Sequence, residues 1–146
     1  MADLLKVMIV DDSALVLTQL ERILQGVEGV DVVAKERDGA CAVRSAAHFQ
    51  PDLVLMDIVM PNMDGLSALR VIRSMQPDTR VAMVSSVAGS GSNAEEAFRL
   101  GAVQVIGKPF EPEQISALVE HERGYRARSL RHGGGEAREA DEGAEA

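Results

Sequence analysis

Leu53-Val54-Leu55-Met56-Asp57 is an apolar run closed by a carboxylate. Set after the turn pair Pro51-Asp52, a run this short and continuous reads as a strand buried on both faces. The same form recurs along the chain. Leu5 to Val10 ends at Asp11-Asp12, Val81 to Val84 ends at Ser85-Ser86, and Val103 to Ile106 ends at Gly107-Lys108-Pro109. Val30 to Ala34 is a further strand, expected nearer an edge because it is short and interrupted by Asp31.

Helix-period segments separate these runs. Val16, Leu20, Ile23, Leu24 and Val27 recur at helical spacing after Asp12 or Ser13, either of which can cap the helix. Asp38-Gly39 opens a second helix with Ala42, Val43, Ala46, Ala47 and Phe49. The loop Met60-Pro61-Asn62-Met63-Asp64-Gly65 feeds a third, with Leu66, Leu69, Val71 and Ile72, broken by Pro77-Asp78. Gly89-Ser90-Gly91-Ser92 reads as a hinge loop before a fourth helix with Ala94, Ala97, Phe98 and Leu100. Pro112 sits in the first turn of a fifth, where proline is tolerated. Strands that alternate with helices predict an α/β fold: a five-stranded doubly wound parallel sheet with five helices on its two faces. Residues 132–146 carry glycine, alanine and acidic residues without apolar period, and are expected to be a disordered acidic tail to a domain spanning 1–131.

The chain has 146 residues and a net charge of −8, which argues against a nucleic-acid or anionic-membrane binder. Cys41 is the single cysteine, so no intrachain disulfide can form, which suits a reducing cytosol. No apolar run is long enough to span a membrane, and a soluble cytoplasmic domain is expected. His48, His121 and His132 show no metal-ligand spacing and read as surface residues. Arg123, Arg126, Arg128 and Arg131 read as cations favouring the end of the fifth helix.

In a parallel sheet the carboxyl ends of the strands lie side by side and open a crevice. Asp11, Asp12, Asp57 and Lys108 all fall there. Clustered carboxylates resist ionising together unless a cation joins them, and a hard divalent metal such as Mg²⁺ takes oxygen ligands. The lysine then supplies a point charge for an anion such as a phosphoryl group.

The ordered set of Asp11-Asp12, Asp57, Met60 to Gly65, Ser85 and Lys108-Pro109-Phe110 resembles the receiver domains of two-component response regulators, over about Lys6 to Arg123. The resemblance implies a flavodoxin-like strand order, 2-1-3-4-5. It implies Asp57 as the nucleophile that takes a phosphoryl group from a phosphohistidine on a sensor histidine kinase. It further implies Mg²⁺ on Asp12, Asp57 and the Val59 carbonyl, with Asp11 acting through water. Lys108 would pair with the phosphoryl oxygens, and the Ser85 hydroxyl would report phosphorylation to an effector protein on the face of helix 4, strand 5 and helix 5. A cis Lys108-Pro109 peptide is also implied. The only catalysis expected is on the chain itself, and the state is a monomer or weak dimer. The chain is similar both to the stand-alone chemotaxis response regulator and to the receiver half of chemotaxis methylesterases. A receiver within a larger regulator, such as a methylesterase or a transcription factor, and a phosphorelay shuttle are the alternatives.

The chain departs from that pattern at Val105, where many receivers carry a switching aromatic, and at Ser85, where threonine is commoner. The apolar side chains of Val59 and Val87 offer an attacking water no hydrogen bond, so a long-lived phosphoryl-Asp57 is expected. A haloacid dehalogenase-type hydrolase would want a second aspartate at position 59. A flavin carrier would not place Asp11-Asp12 against a cofactor phosphate.

Overall fold

The computed structural model describes residues 4–87 and 91–133. Ten elements alternate among the described residues: β1 (Leu5–Val10), α1 (Ala14–Gln25), β2 (Val30–Glu36), α2 (Gly39–Phe49), β3 (Leu53–Met56), α3 (Gly65–Met75), β4 (Arg80–Ser85), α4 (Gly91–Arg99), β5 (Gln104–Gly107) and α5 (Pro112–Gly133). All strand pairs are parallel, and the order is β2-β1-β3-β4-β5. The expected sheet, its order and β2 at an edge are therefore observed.

Strand alternation divides the core in two. Met8, Val10, Val54 and Met56 point to the face covered by Ala42 and Ala46 of α2, Leu69 and Ile72 of α3 and Ala97 of α4. Val7, Ile9, Leu53 and Leu55 point to the face covered by Leu17, Leu20 and Leu24 of α1 and Ile115 and Val119 of α5. With both faces covered, β1 from Val7 to Val10 and the whole of β3 can be apolar at every position, which is why their sequences show continuous runs rather than alternation.

Side chains start the helices. Ser13 caps α1 by accepting from the Val16 amide, Asp38 caps α2 from Cys41, and Asp64 caps α3 from Ser67. Ser13 rather than Asp12 is thus the first cap, which leaves the Asp12 carboxylate for the strand-end cluster.

Several boundaries differ from expectation. β2 runs on through Lys35-Glu36, because at an exposed edge a strand can carry charge on its open side. β5 is shifted one residue on, to Gln104–Gly107. Gly91 and Ser92 belong to α4 rather than to a loop, whereas residues 89 and 90 lie outside the described residues. α5 reaches Gly133, so residues 132 and 133, read as tail, are helical; the rest of that stretch lies outside the description. Phe49 and Phe98 keep 39% and 51% of their surface exposed and so are not core anchors. Arg123 and Arg126 are well inside α5, and each has a carboxylate partner, Glu120 and Asp52 respectively. The rings of His48 and His121 are exposed, as expected, and the side chain of His132 lies outside the described residues.

At the end of the sheet away from the strand-end carboxylates, Arg80 at the start of β4 meets Glu122 of α5. Its Nε and Nη2 donate to the two carboxylate oxygens at 2.8 and 3.3 Å, and its guanidinium lies 3.9 Å from the centre of the Tyr125 ring.

Candidate functional site

Strand register brings the site together. Val10 pairs with Met56, so Asp11 and Asp57 leave neighbouring strands at the same level. The Asp57 amide continues that ladder by donating to the Val10 carbonyl at 3.0 Å. Ser85 pairs with Gly107, and the Lys108 amide donates to the Ser85 carbonyl at 3.1 Å. Lys108 therefore starts from the far side of the sheet and reaches back over it. Its Nζ lies 2.6 Å from Asp11 Oδ2 and 3.1 Å from Asp57 Oδ2.

Asp11 and Asp57 are buried and Asp12 is exposed, yet each offers an oxygen within 4.8 Å of the other two. Fixed donors orient the buried pair. Asp11 Oδ1 accepts from the Ser13 amide at 2.9 Å, and Asp57 Oδ1 from the Ile58 amide at 2.7 Å and, more weakly, from Val59 at 3.4 Å. One oxygen of Asp57 is thus tied to main chain while the other faces the lysine. Val59 sits at the rim with 57% of its surface exposed.

Ser85 is fully buried at the end of β4, where its Oγ accepts from the Val87 amide at 3.4 Å, a long bond that leaves the hydroxyl proton to be donated elsewhere. The Lys108-Pro109 bond is cis. A groove of about 600 Å³ runs beside Lys108 between α1 and the β5–α5 loop, walled by Val16, Ile23, Pro109, Phe110 and Pro112.

The loop after β3 folds back tightly. Gly65, the first residue of α3, donates its amide to the Ile58 carbonyl at 2.7 Å. A Cβ on Gly65 would stand 1.9 Å from the Asp57 carbonyl oxygen. Asp64 and Gly65, which close the loop quoted from the sequence, therefore shape the segment that carries the central carboxylate.

Burial pushes the Asp11 carboxyl above its ordinary 3.8 despite hydrogen bonds from Lys108 and Ser13, and the Asp57 charge adds to the rise. Burial works to lower Lys108, but its hydrogen bonds to Asp11 and Asp57 and their charges prevail and hold the ammonium above its ordinary 10.5. A raised acid stabilises the fold below its unfolded value and loses that contribution as pH rises through its folded value. In metal-free buffer, Asp11→Asn should therefore gain on the wild type as pH is raised from about 4 to about 7. Urea unfolding of both proteins across that range measures it, and a constant difference would contradict the burial argument.

Every residue singled out from the sequence, Asp11, Asp12, Asp57, Val59, Ser85 and Lys108, lies at or beside this cluster. Arg37, outside the quoted motifs, adjoins it, and Asn62 of the Met60 to Gly65 loop bonds the neighbouring turn. Arg37 donates from Nε and Nη2 to the Asp12 carbonyl, and Asn62 donates to Asp38 across from it. The strand order carried the signal for Arg37: β2 adjoins β1, so the residue just after β2 falls beside the loop just after β1.

Residues 7–120 match the family model described as response regulator receiver domain. The chain is 39% identical to protein-glutamate methylesterase/protein-glutamine glutaminase 5 of Myxococcus xanthus over 105 residues, which are 72% of this chain and 30% of that protein. It is 38% identical over 114 residues to chemotaxis protein CheY of Bacillus subtilis, covering 78% of this chain and 93% of CheY. The chain thus spans about 30% of the length of the methylesterase relative and nearly all of CheY. The crystal structure of the response regulator domain of Thermotoga maritima CheB superposes with a TM-score of 0.74 at 38% identity, covering 83% of this chain and 95% of that one. With the family model spanning most of the chain, and the sheet order and strand-end residues in place, the chain belongs to the response regulator receiver domain family.

Proposed function

We propose that the chain is a phosphorylation-activated switch in chemotaxis or a related two-component pathway, acting in the cytoplasm through protein contacts. The observation that carries this is the Lys108 ammonium bridging Asp11 and Asp57 at the strand ends. The donor set fits Mg²⁺. Three carboxylate oxygens close together form an all-oxygen set suited to a hard cation, and one lysine leaves their charge incompletely balanced. Asp12, Asp57 and the Val59 carbonyl would hold the ion, with Asp11 acting through water. Once bound, Mg²⁺ would neutralise charge on the phosphoryl oxygens.

The chain's own residues do the rest. An Asp57 carboxylate oxygen forms a bond to phosphorus while the bond from phosphorus to the imidazole nitrogen of the kinase histidine breaks. The imidazole leaves with the bonding pair. The Ile58 and Val59 amides hold Asp57 in line, a gain in positioning rather than in chemistry. Lys108 turns from the carboxylates to the new phosphoryl charge. The Ser85 hydroxyl, buried at the end of β4, donates to a phosphoryl oxygen, and its movement repacks the face of α4, β5 and α5 for an effector protein. Catalysis is confined to the chain's own phosphorylation and dephosphorylation. The Val59 side chain, exposed at the rim, cannot hydrogen-bond an attacking water, which favours a long phosphoryl lifetime.

The likeness to the CheB regulatory domain favours a second reading, a receiver that controls a methylesterase within a longer chain. The chemistry at Asp57 is the same in both.

Intact mass after incubation with a small acyl phosphate and Mg²⁺ tests the reading. The wild type should gain one phosphoryl group, Asp57→Asn none, and chelation of the metal should abolish the gain. A folded wild type that gains nothing would refute it.

A further inference from the structure

The two loops that carry the carboxylates are both held from a third, the turn Arg37-Asp38 between β2 and α2 together with Gly39, the first residue of α2. On one side Arg37 donates from Nε at 3.1 Å and from Nη2 at 2.8 Å to the main-chain carbonyl of Asp12. On the other, Asp38 Oδ2 accepts from Asn62 Nδ2 at 2.9 Å, and the Gly39 amide donates to the Met63 carbonyl at 3.0 Å. The Gly39 contact is backbone on backbone, since a Cβ there would lie 2.3 Å from the Met63 oxygen. Asn62 has a φ of 68°, a left-handed conformation that asparagine adopts more readily than most residues.

We propose that this turn is a clasp that sets the spacing of the Asp12 and Asp57 loops, and that Arg37 is a positioning residue for the cation site. The inference rests on the reading of the carboxylate cluster as a Mg²⁺ site. Asp12 is the exposed member of the cluster, without the burial that fixes Asp11 and Asp57. Two donors of one planar guanidinium on a single carbonyl fix the direction of the main chain that bears it. Partners one shell out from a metal commonly orient the ligands in this way.

Charge and position make opposite demands here. A guanidinium close to a cation site repels the cation, so by charge alone the loss of Arg37 would tighten Mg²⁺ binding. If Arg37 positions Asp12, its loss weakens binding instead. The sign of the change therefore separates the two roles.

The test is calorimetric titration of Mg²⁺ into the wild type, Arg37→Ala and Arg37→Lys, with Asp12→Asn as the control and urea midpoints in metal-free buffer. The expected result is roughly tenfold or greater loss of affinity in Arg37→Ala. Arg37→Lys, which keeps the charge but not the fork, should fall between, and the metal-free midpoint of Arg37→Ala should not move. Equal or tighter binding by Arg37→Ala overturns the proposal, as does a fall in affinity matched by a fall in the metal-free midpoint. A wild type that takes up no Mg²⁺ fails the cation reading itself, and that result is distinct from either.

Discussion

Gly65→Ala should destabilise the domain by about 3 kcal/mol or more and disable phosphoryl uptake, although it adds one methyl group at the start of a helix. The new Cβ would stand 1.9 Å from the Asp57 carbonyl oxygen and 2.9 Å from the Ile58 Cα. Both obstacles are backbone, so no rotamer change relieves them. Ordinary overpacking, where side chains can yield, costs about 1–3 kcal/mol. Helix propensity works the other way, but favours alanine by only about 1 kcal/mol even in a helix interior. The steric term prevails, and relief must come from moving α3 or the Asp57 main chain. Either movement disturbs the amides that orient the Asp57 carboxylate. Gly91→Ala is the control, because a Cβ in the first turn of α4 meets nothing within 4 Å. It should be neutral or slightly stabilising. Urea unfolding and intact mass measured on both variants decide the matter, and equal behaviour would show that the close approach at Gly65 can relax cheaply.

The fold was legible because its central strands are buried twice over. β1 and β3 carry apolar residues on both faces, and a carboxylate follows each directly. Repetition of that pattern places Asp11 and Asp57 together at the carboxyl ends of the strands without any structural knowledge. Lys108 was legible for the same reason, being the first charged residue after the last strand. Less was legible where a residue's role depends on a distant partner. Arg37 looks like any cation after a strand until β2 is set beside β1. The pattern of α4 did not show that Gly91 and Ser92 are helical, since glycine and serine usually mark loops. The helical period in α2 and α4 included Phe49 and Phe98, but those residues lie at the ends of short helices and stay partly exposed. The end of α5 was hidden because no apolar repeat marks its last turns and glycines close it.

Glu122 is the clearest case of a partner that sequence cannot supply, and it carries the second large effect. Its side chain is 2% exposed and that of Arg80 26%. Arg80→Ala removes both hydrogen bonds and leaves a buried carboxylate without its counter-ion, a loss of about 3–5 kcal/mol. The stacking of Arg80 on Tyr125 is lost as well. Against a total stability of about 5–15 kcal/mol for a domain of this kind, that is a large fraction. The reverse change should cost less. In Glu122→Gln, Arg80 can still bond one amide oxygen, stack on Tyr125 and reach solvent, so about 1–2 kcal/mol is expected. Replacing both, as Arg80→Met with Glu122→Leu, removes the desolvation problem with the bond and should come out near neutral. A double-substitution cycle by urea unfolding isolates the coupling, and additive losses would mean that the pair is solvated in solution. The chemistry should not follow the stability. Arg80 and Ser85 stand at opposite ends of β4, so the folded double variant should still take one phosphoryl group on Asp57. If it folds and takes none, the pinning of α5 on β4 is itself required to hold Ser85 and Lys108 in place over the carboxylates.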